Sequence, residues 1–212
     1  MRLQLLIGPA GLSEPPGPDV SEGDSFLFTE DAADHYGDLI EGSRLVASPF
    51  GFAAWDEPAA DLFLEHVDGL VLSRLRRAAA HLALHGRLPE TESSAFLFLD
   101  DTVSEAWQRG PEHFAAGHAI TGTARIGAYD HFLHHTGEPL IYSPADFAPV
   151  IKDDSAPGGL VPSAARMLAE VEELERAMGA GPDSEDARAL RVLGEAARTA
   201  VAAGAGLLTD YV

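Results

Sequence analysis

The chain lacks cysteine and asparagine altogether and has a single lysine, Lys152, among 212 residues. Without cysteine there is no disulfide, no thiol nucleophile and no Cys-ligated zinc. Without asparagine there is no acceptor for N-glycosylation. A transition-metal site would have to be built from histidine and carboxylates. Lysine and asparagine both use A-rich codons, so their scarcity points to a GC-rich bacterial genome.

Several motifs are missing as well. There is no phosphate-binding G-x-x-x-x-G-K-S/T loop, no dinucleotide G-x-G-x-x-G, no G-x-S-x-G elbow and no H-E-x-x-H. Nucleotide-dependent transfer, nicotinamide or flavin redox chemistry, α/β-hydrolase acyl transfer and zincin proteolysis lose their usual signatures. Long apolar runs are missing too. "MRLQLLIGPAG" is too short for a secretory signal, and "AVAAGAGLL" near residue 200 is too short to span a bilayer. The expected location is the cytoplasm, with no membrane partner.

What the chain has in excess is negative charge. Thirty-four acidic residues face fourteen basic ones, for a net charge of −20. The excess is uneven: residues 1–70 hold fourteen acids against two arginines, whereas 71–91 hold Arg74, Arg76, Arg77 and Arg87 against Glu90 alone. Such a field repels phosphate backbones and anionic lipid and attracts a basic partner or a cation. The arginine patch is expected to pair with the chain's own carboxylates rather than with nucleic acid.

The hydrophobic fraction, 46%, is ordinary for a globular protein with a sizeable core. Patterning predicts an α+β fold: a mixed sheet of about five short strands, a long central helix and a C-terminal helical hairpin. Strands are expected at 2–7, 25–28, 94–99 and 139–143. "EDAADHYGDLIEG" reads as a short helix ended by Gly42, and 44–55 as a hairpin or bent strand. The apolar stripe Leu64, Val67, Val71, Leu75, Ala78, Leu82 predicts the long helix over 57–85, bent near Gly69. "TVSE" (102–105) reads as a capping box. "SPAD" (143–146) reads as a helical turn and 152–159 as a linker. Residues 162–178 and 183–203 form the hairpin. Residues 1–159 are expected as the α/β part, with 160–212 packed on it and not independent.

Two string matches suggest an internal duplication of a β-α-β-α unit. "FLFTED" and "FLFLDD" are 70 residues apart, and "DLFLEH" (61–66) and "DHFLHH" (130–135) are 69 apart. The matching segments are 25–66 and 95–135.

"DHFLHH" is also the densest chemistry in the chain. Helical periodicity puts Asp130, His131, His134 and His135 on an arc opposite Phe132 and Leu133, facing solvent or a cleft. His131 and His135, one turn apart, could hold a divalent metal if His113 and His118 completed the shell. Asp100 and Asp101, at a strand end, are a second candidate, for magnesium. Two functions compete. The first is an acidic binding or regulatory protein, inhibitor- or immunity-like, engaging a basic protein. The second is a metal-dependent hydrolase using the His/Asp cluster.

Overall fold

The structure is a computed structural model that describes residues 2–8, 30–48, 51, 55, 58, 62–90, 100–108, 128–134 and 139–211. Its elements in chain order are β1 (Arg2–Ile7), α1 (Glu30–Ala47), β2 (Phe63–Asp68), α2 (Gly69–His85), α3 (Asp101–Gln108), α4 (Asp130–Leu133), β3 (Leu140–Tyr142), β4 (Ile151–Lys152), β5 (Leu160–Val161), α5 (Ala164–Met178), α6 (Glu185–Ala203) and β6 (Leu207–Tyr211). The class is α+β, as patterning predicts. The four-stranded sheet has the order β2-β1-β6-β3, and β4 and β5 form a separate ribbon. Every ladder is antiparallel; among the described residues the parallel element of the expected mixed sheet is reduced to one bridge, Ser143 to Ser163.

Alternation along the strands divides the core in two. Leu3, Leu5, Ile7, Leu140, Tyr142 and Leu207 point to one face, where α2, α5 and α6 bury Leu72, Leu75, Val171, Leu174, Leu190 and Leu193 against them. Leu6, Ile141 and Leu208 point to the other, where they meet Ile40, Val46 and Ala47 of α1, Trp55, and Ile151 and Val161 of the ribbon. Because β1 is covered on both faces, it is buried from Leu3 to Ile7, Gln4 included, and ends in the unbroken apolar run Leu5, Leu6, Ile7.

Four expectations need correction. The stripe from Leu64 to His85 is not one helix. Phe63–Asp68 pairs with β1 over six residues, Leu3 opposite Val67. The helix then starts at Gly69, where an Asp68 side-chain oxygen accepts the amides of Leu70 and Val71 at 2.8 and 3.2 Å. The apparent bend is therefore a strand-to-helix junction. Next, α1 runs through Gly42 to Ala47, so 44–47 is helix, not strand. A methyl on Gly42 would just touch Pro157 at 3.4 Å; this glycine lets α1 pack on the ribbon and does not end it. Residues 143–146 are a bridge residue followed by bends at 144–145, not a helical turn, and the supposed linker at 152–159 carries part of the ribbon. Finally, the chain beyond the hairpin holds a strand that periodicity missed: β6 lies between β1 and β3.

The hairpin forms as expected. Ser163 caps α5 and Ser184 caps α6, with the left-handed Gly179 and Gly204 ending them. Of the matched strings, residues 63–66 lie in β2 and 130–133 in α4, while 25–28 and 95–99 lie outside the described residues.

β6 sets a test. A Cβ on Gly206 would meet Ile40 at 3.1 Å and Ile141 at 3.3 Å. Gly206→Ala should overpack this junction and cost about 1–3 kcal/mol. Deleting 206–212 should abolish the cooperative transition, since β1 and β3 both pair with β6. Urea denaturation followed by circular dichroism measures both.

Candidate acidic binding surface

The largest acidic element among the described residues is α1. Its eighteen residues hold Glu30, Asp31, Asp34, Asp38 and Glu41 with one cation of the Lys/Arg type, Arg44. At ~100° per residue these five positions fall within an arc of about 100°. The buried residues Ile40, Ser43, Val46 and Ala47 lie on the opposite side. Asp38 and Glu41 are exposed, and so is Leu45 on the same outward face, at 66%. Arg44 is turned toward the protein: its guanidinium donates to the Trp55 carbonyl at 2.7 Å and lies over the indole ring at 5.6 Å, reaching Glu41 only at 4.0 Å. The signal for this stripe was in the sequence as the spacing 30, 34, 38, 41. The helix expected over 30–42 already contained these positions, but the charge was counted by segment and not by helix face.

Elsewhere arginine offsets carboxylate. Arg74 of α2 reaches Glu185 and Asp186 of α6 at 3.2 and 2.8 Å. Arg77 donates to Asp100 at 2.5 Å, Arg166 reaches Asp146 and Arg198 reaches Glu172. Arg76 is buried and donates to the Tyr211 hydroxyl at 2.7 Å. The α2 arginine patch thus serves the fold, as expected from its acidic surroundings. Exposed pairs of this sort are worth about 0–1 kcal/mol each, but they flatten the local field around α2, α5 and α6.

Asp100 and Asp101 do not act together. Asp100 turns inward to Arg77 and to His81 at 3.2 Å, and caps α3 by accepting the Thr102 amide at 2.9 Å. The cap is therefore Asp100, not Thr102. Burial opposes its ionisation, but these three donors hold it at about 2. Asp101 is exposed.

The histidines also differ from expectation. His131 and His134 are buried, at 1% and 8% exposure, so the polar arc of α4 faces the protein and not solvent or a cleft. The turn is only four residues long, and its polar side packs against α5 and the chain after β3. The His131 Nε2 donates to the Ala148 carbonyl at 2.9 Å, and its Nδ1 accepts the Ser163 amide at 2.9 Å. Both ring nitrogens are engaged, and burial lowers the pKa of the ring to about 4. His134 pairs with Asp130 at 3.5 Å. His113, His118 and His135 lie outside the described residues. Among the described residues no group of three His or carboxylate side chains converges on a metal position, and the hydrolase reading gains no support from this geometry.

A residue that the sequence did not single out holds this turn. Glu170 of α5 accepts the amides of His131 and Phe132 at 3.3 and 2.8 Å, capping α4 from 38 residues away. Burial raises its pKa to about 8, against the two amide bonds and with Asp130 and Glu173 adding to the rise. No local spacing could have announced this contact.

A family model described as "Putative DNA-mimic protein" matches residues 1–208. The chain belongs to that family. No curated protein and no solved structure gives a significant match. In a DNA-mimic family, the acidic surplus acquires a meaning beyond solubility, and α1 is the described element that concentrates it. No helix among the described residues is long and apolar enough to cross a membrane.

The titrations set the acid limits of stability. Unfolded histidine binds its proton near 6.5. The contribution of His131 is therefore complete above about 6.5 and lost as pH falls toward 4. Asp100, depressed from 3.8, contributes above that value and loses its effect as pH falls toward 2. Denaturation midpoints should fall in these two steps. Asp100→Asn should remove the lower step and cost about 1–3 kcal/mol at pH 7. His131→Ala should remove the upper step and cost at least as much, equally with and without chelator. A chelator-dependent loss in the parent protein would instead reveal a bound metal.

Proposed function

We propose that this protein binds a basic DNA-binding protein on the surface that otherwise receives duplex DNA, with the carboxylates of α1 standing where phosphates would. The observation that carries the reading is the charge spacing of α1. Positions 30 to 41 span about 16.5 Å at ~1.5 Å per residue, so five acids give roughly one charge per 4 Å. A DNA strand carries one per ~3.4 Å of axis. An arginine or lysine row built to follow phosphates would meet a similar density along this helix. Family membership supports the same reading, and so does a chain-wide charge of −20.

The consequence would be regulatory. Occupying the DNA-binding face competes with DNA, so the protein acts as an inhibitor of its partner without touching nucleic acid, which its own charge repels. The reading places it in the cytoplasm, where such partners work. Electrostatic complementarity mainly raises the association rate, and that effect is screened beyond ~8 Å at physiological salt.

Tagged protein incubated with native lysate at low salt should retain a basic DNA-binding protein. Added duplex DNA should displace it. A triple variant, Asp34→Asn, Asp38→Asn and Glu41→Gln, should weaken binding at least tenfold, mostly through the on-rate, with little change in melting temperature. The salt slope should be shallower than that of the partner on DNA, because a protein helix releases no condensed counterions. Binding that survives the triple variant, or that duplex DNA leaves intact, would overturn the assignment.

A further inference from the structure

We propose that the outer edge of β2 pairs with β2 of a second copy of this chain, across a two-fold axis through Leu64, joining two four-stranded sheets into one of eight strands. The pairing goes beyond the DNA-mimic reading and does not depend on it. The first observation is that the edge is open. β2 ends the strand order β2-β1-β6-β3, and among the described residues no strand lies on its far side. In an antiparallel strand alternate backbone groups point away from the neighbour already paired. Leu64, Glu65 and His66 are exposed in succession. Sheets usually protect such an edge with lysine, proline, a bulge or a very short strand. β2 has six residues, no lysine or proline, and an unbroken register with β1 from Asp68 to Phe63. The opposite edge differs: β3 has three residues, and the next one, Ser143, bridges to Ser163.

The second observation is what the edge displays. Leu6 belongs to the core under α1 and lies directly opposite Leu64. Alternation therefore puts Leu62, Leu64 and His66 on the α1 side of the sheet. Leu62 is 45% and Leu64 41% exposed. Two leucines at successive same-face positions are the side chains that an added strand would cover.

The third is charge, which selects the occupant. β1 and β2 together carry Arg2 against Glu65 and Asp68, whereas α1 carries five acids and one arginine. A basic partner is drawn to α1, and this edge is where a copy of a −20 chain meets weak repulsion. Symmetry then fixes the register. Paired residues must share a face, so the axis passes through a residue. Through Glu65 it would set a carboxylate against itself, and through His66 it would set Leu64 against the partner's Asp68. Through Leu64 it sets Leu64 against the partner's Leu64, Leu62 against the partner's His66 and Phe63 against the partner's Glu65. Four leucines then form one ladder.

The axis stands perpendicular to the sheet, so both copies keep α1 on the same side. The dimer presents two acidic stripes in two-fold relation. Each copy uses its open edge once, so the assembly closes at two and does not grow.

Sedimentation velocity of the full chain over a concentration series tests the pairing. A dimer should form, and added salt should strengthen it by screening like charge, the opposite of its effect on a basic partner. Leu64→Lys, which puts a charge on the axis, should weaken the dimer at least tenfold and leave the far-ultraviolet circular dichroism unchanged. The chain has no cysteine, so Leu64→Cys can form a disulfide only between copies. Residues opposite each other in an antiparallel pair lie within disulfide reach. Copper phenanthroline in air should therefore cross-link Leu64→Cys to a dimer at least tenfold faster than Leu70→Cys, which is more exposed, at 74%, but lies outside the strand. A chain that stays monomeric, a dimer that survives Leu64→Lys, or equal cross-linking of the two cysteine variants overturns the proposal. Should Leu64→Lys fail to fold, the cross-linking comparison decides.

Discussion

A chain with a net charge of −20 is held compact against its own repulsion, and only apolar contact can do that. The whole arrangement depends on β1, which pairs with β2 along its six residues and with β6 from Leu3 to Leu6, and is covered on both faces. Leu5, Leu6 and Ile7 have no exposed surface. Fully burying each such side chain stabilises by about 1.5–3 kcal/mol. Two cores back to back on one sheet let the fold spend its apolar residues inward and leave whole helix faces free to be acidic.

The cations follow the same logic. Arg74, Arg77, Arg166 and Arg198 neutralise carboxylates of neighbouring elements, and Arg44 stacks on Trp55. Individually these contacts are weak. Collectively they leave few positive groups to interrupt the outward face of α1. Proton-binding groups are distributed differently: Asp100, His131 and Glu170 all hold helix ends or turns in place through backbone amides. Acidic surface and interior titration are thus kept on different elements.

Much of this was legible in the sequence. The apolar run of β1, the serine and glycine punctuation around α5 and α6, and the charge imbalance each have a local cause. The failures also have causes. The stripe through Leu64 and Val67 satisfied a helical period although β1 captures those residues, because a six-residue window fits either period. Gly42 looked like a helix end because glycine's other use, close approach to Pro157, is set by tertiary packing. The histidines were assigned to an exposed arc because a four-residue turn has no face of its own; α5 and β3 decide which side is buried. Glu170 was invisible for the same reason.

The position of β6 has a consequence during synthesis. β1 is made long before one of its two neighbours in the sheet, which spans Leu207–Tyr211. At ~5–20 residues per second, about ten to thirty seconds separate the completion of α1 from the appearance of that strand. During that interval the acidic helix lacks the finished sheet beneath it. Until β6 emerges, Leu6 and Ile141 lack the strand and the Leu208 side chain that join them, so α1 has only part of the apolar face it packs on.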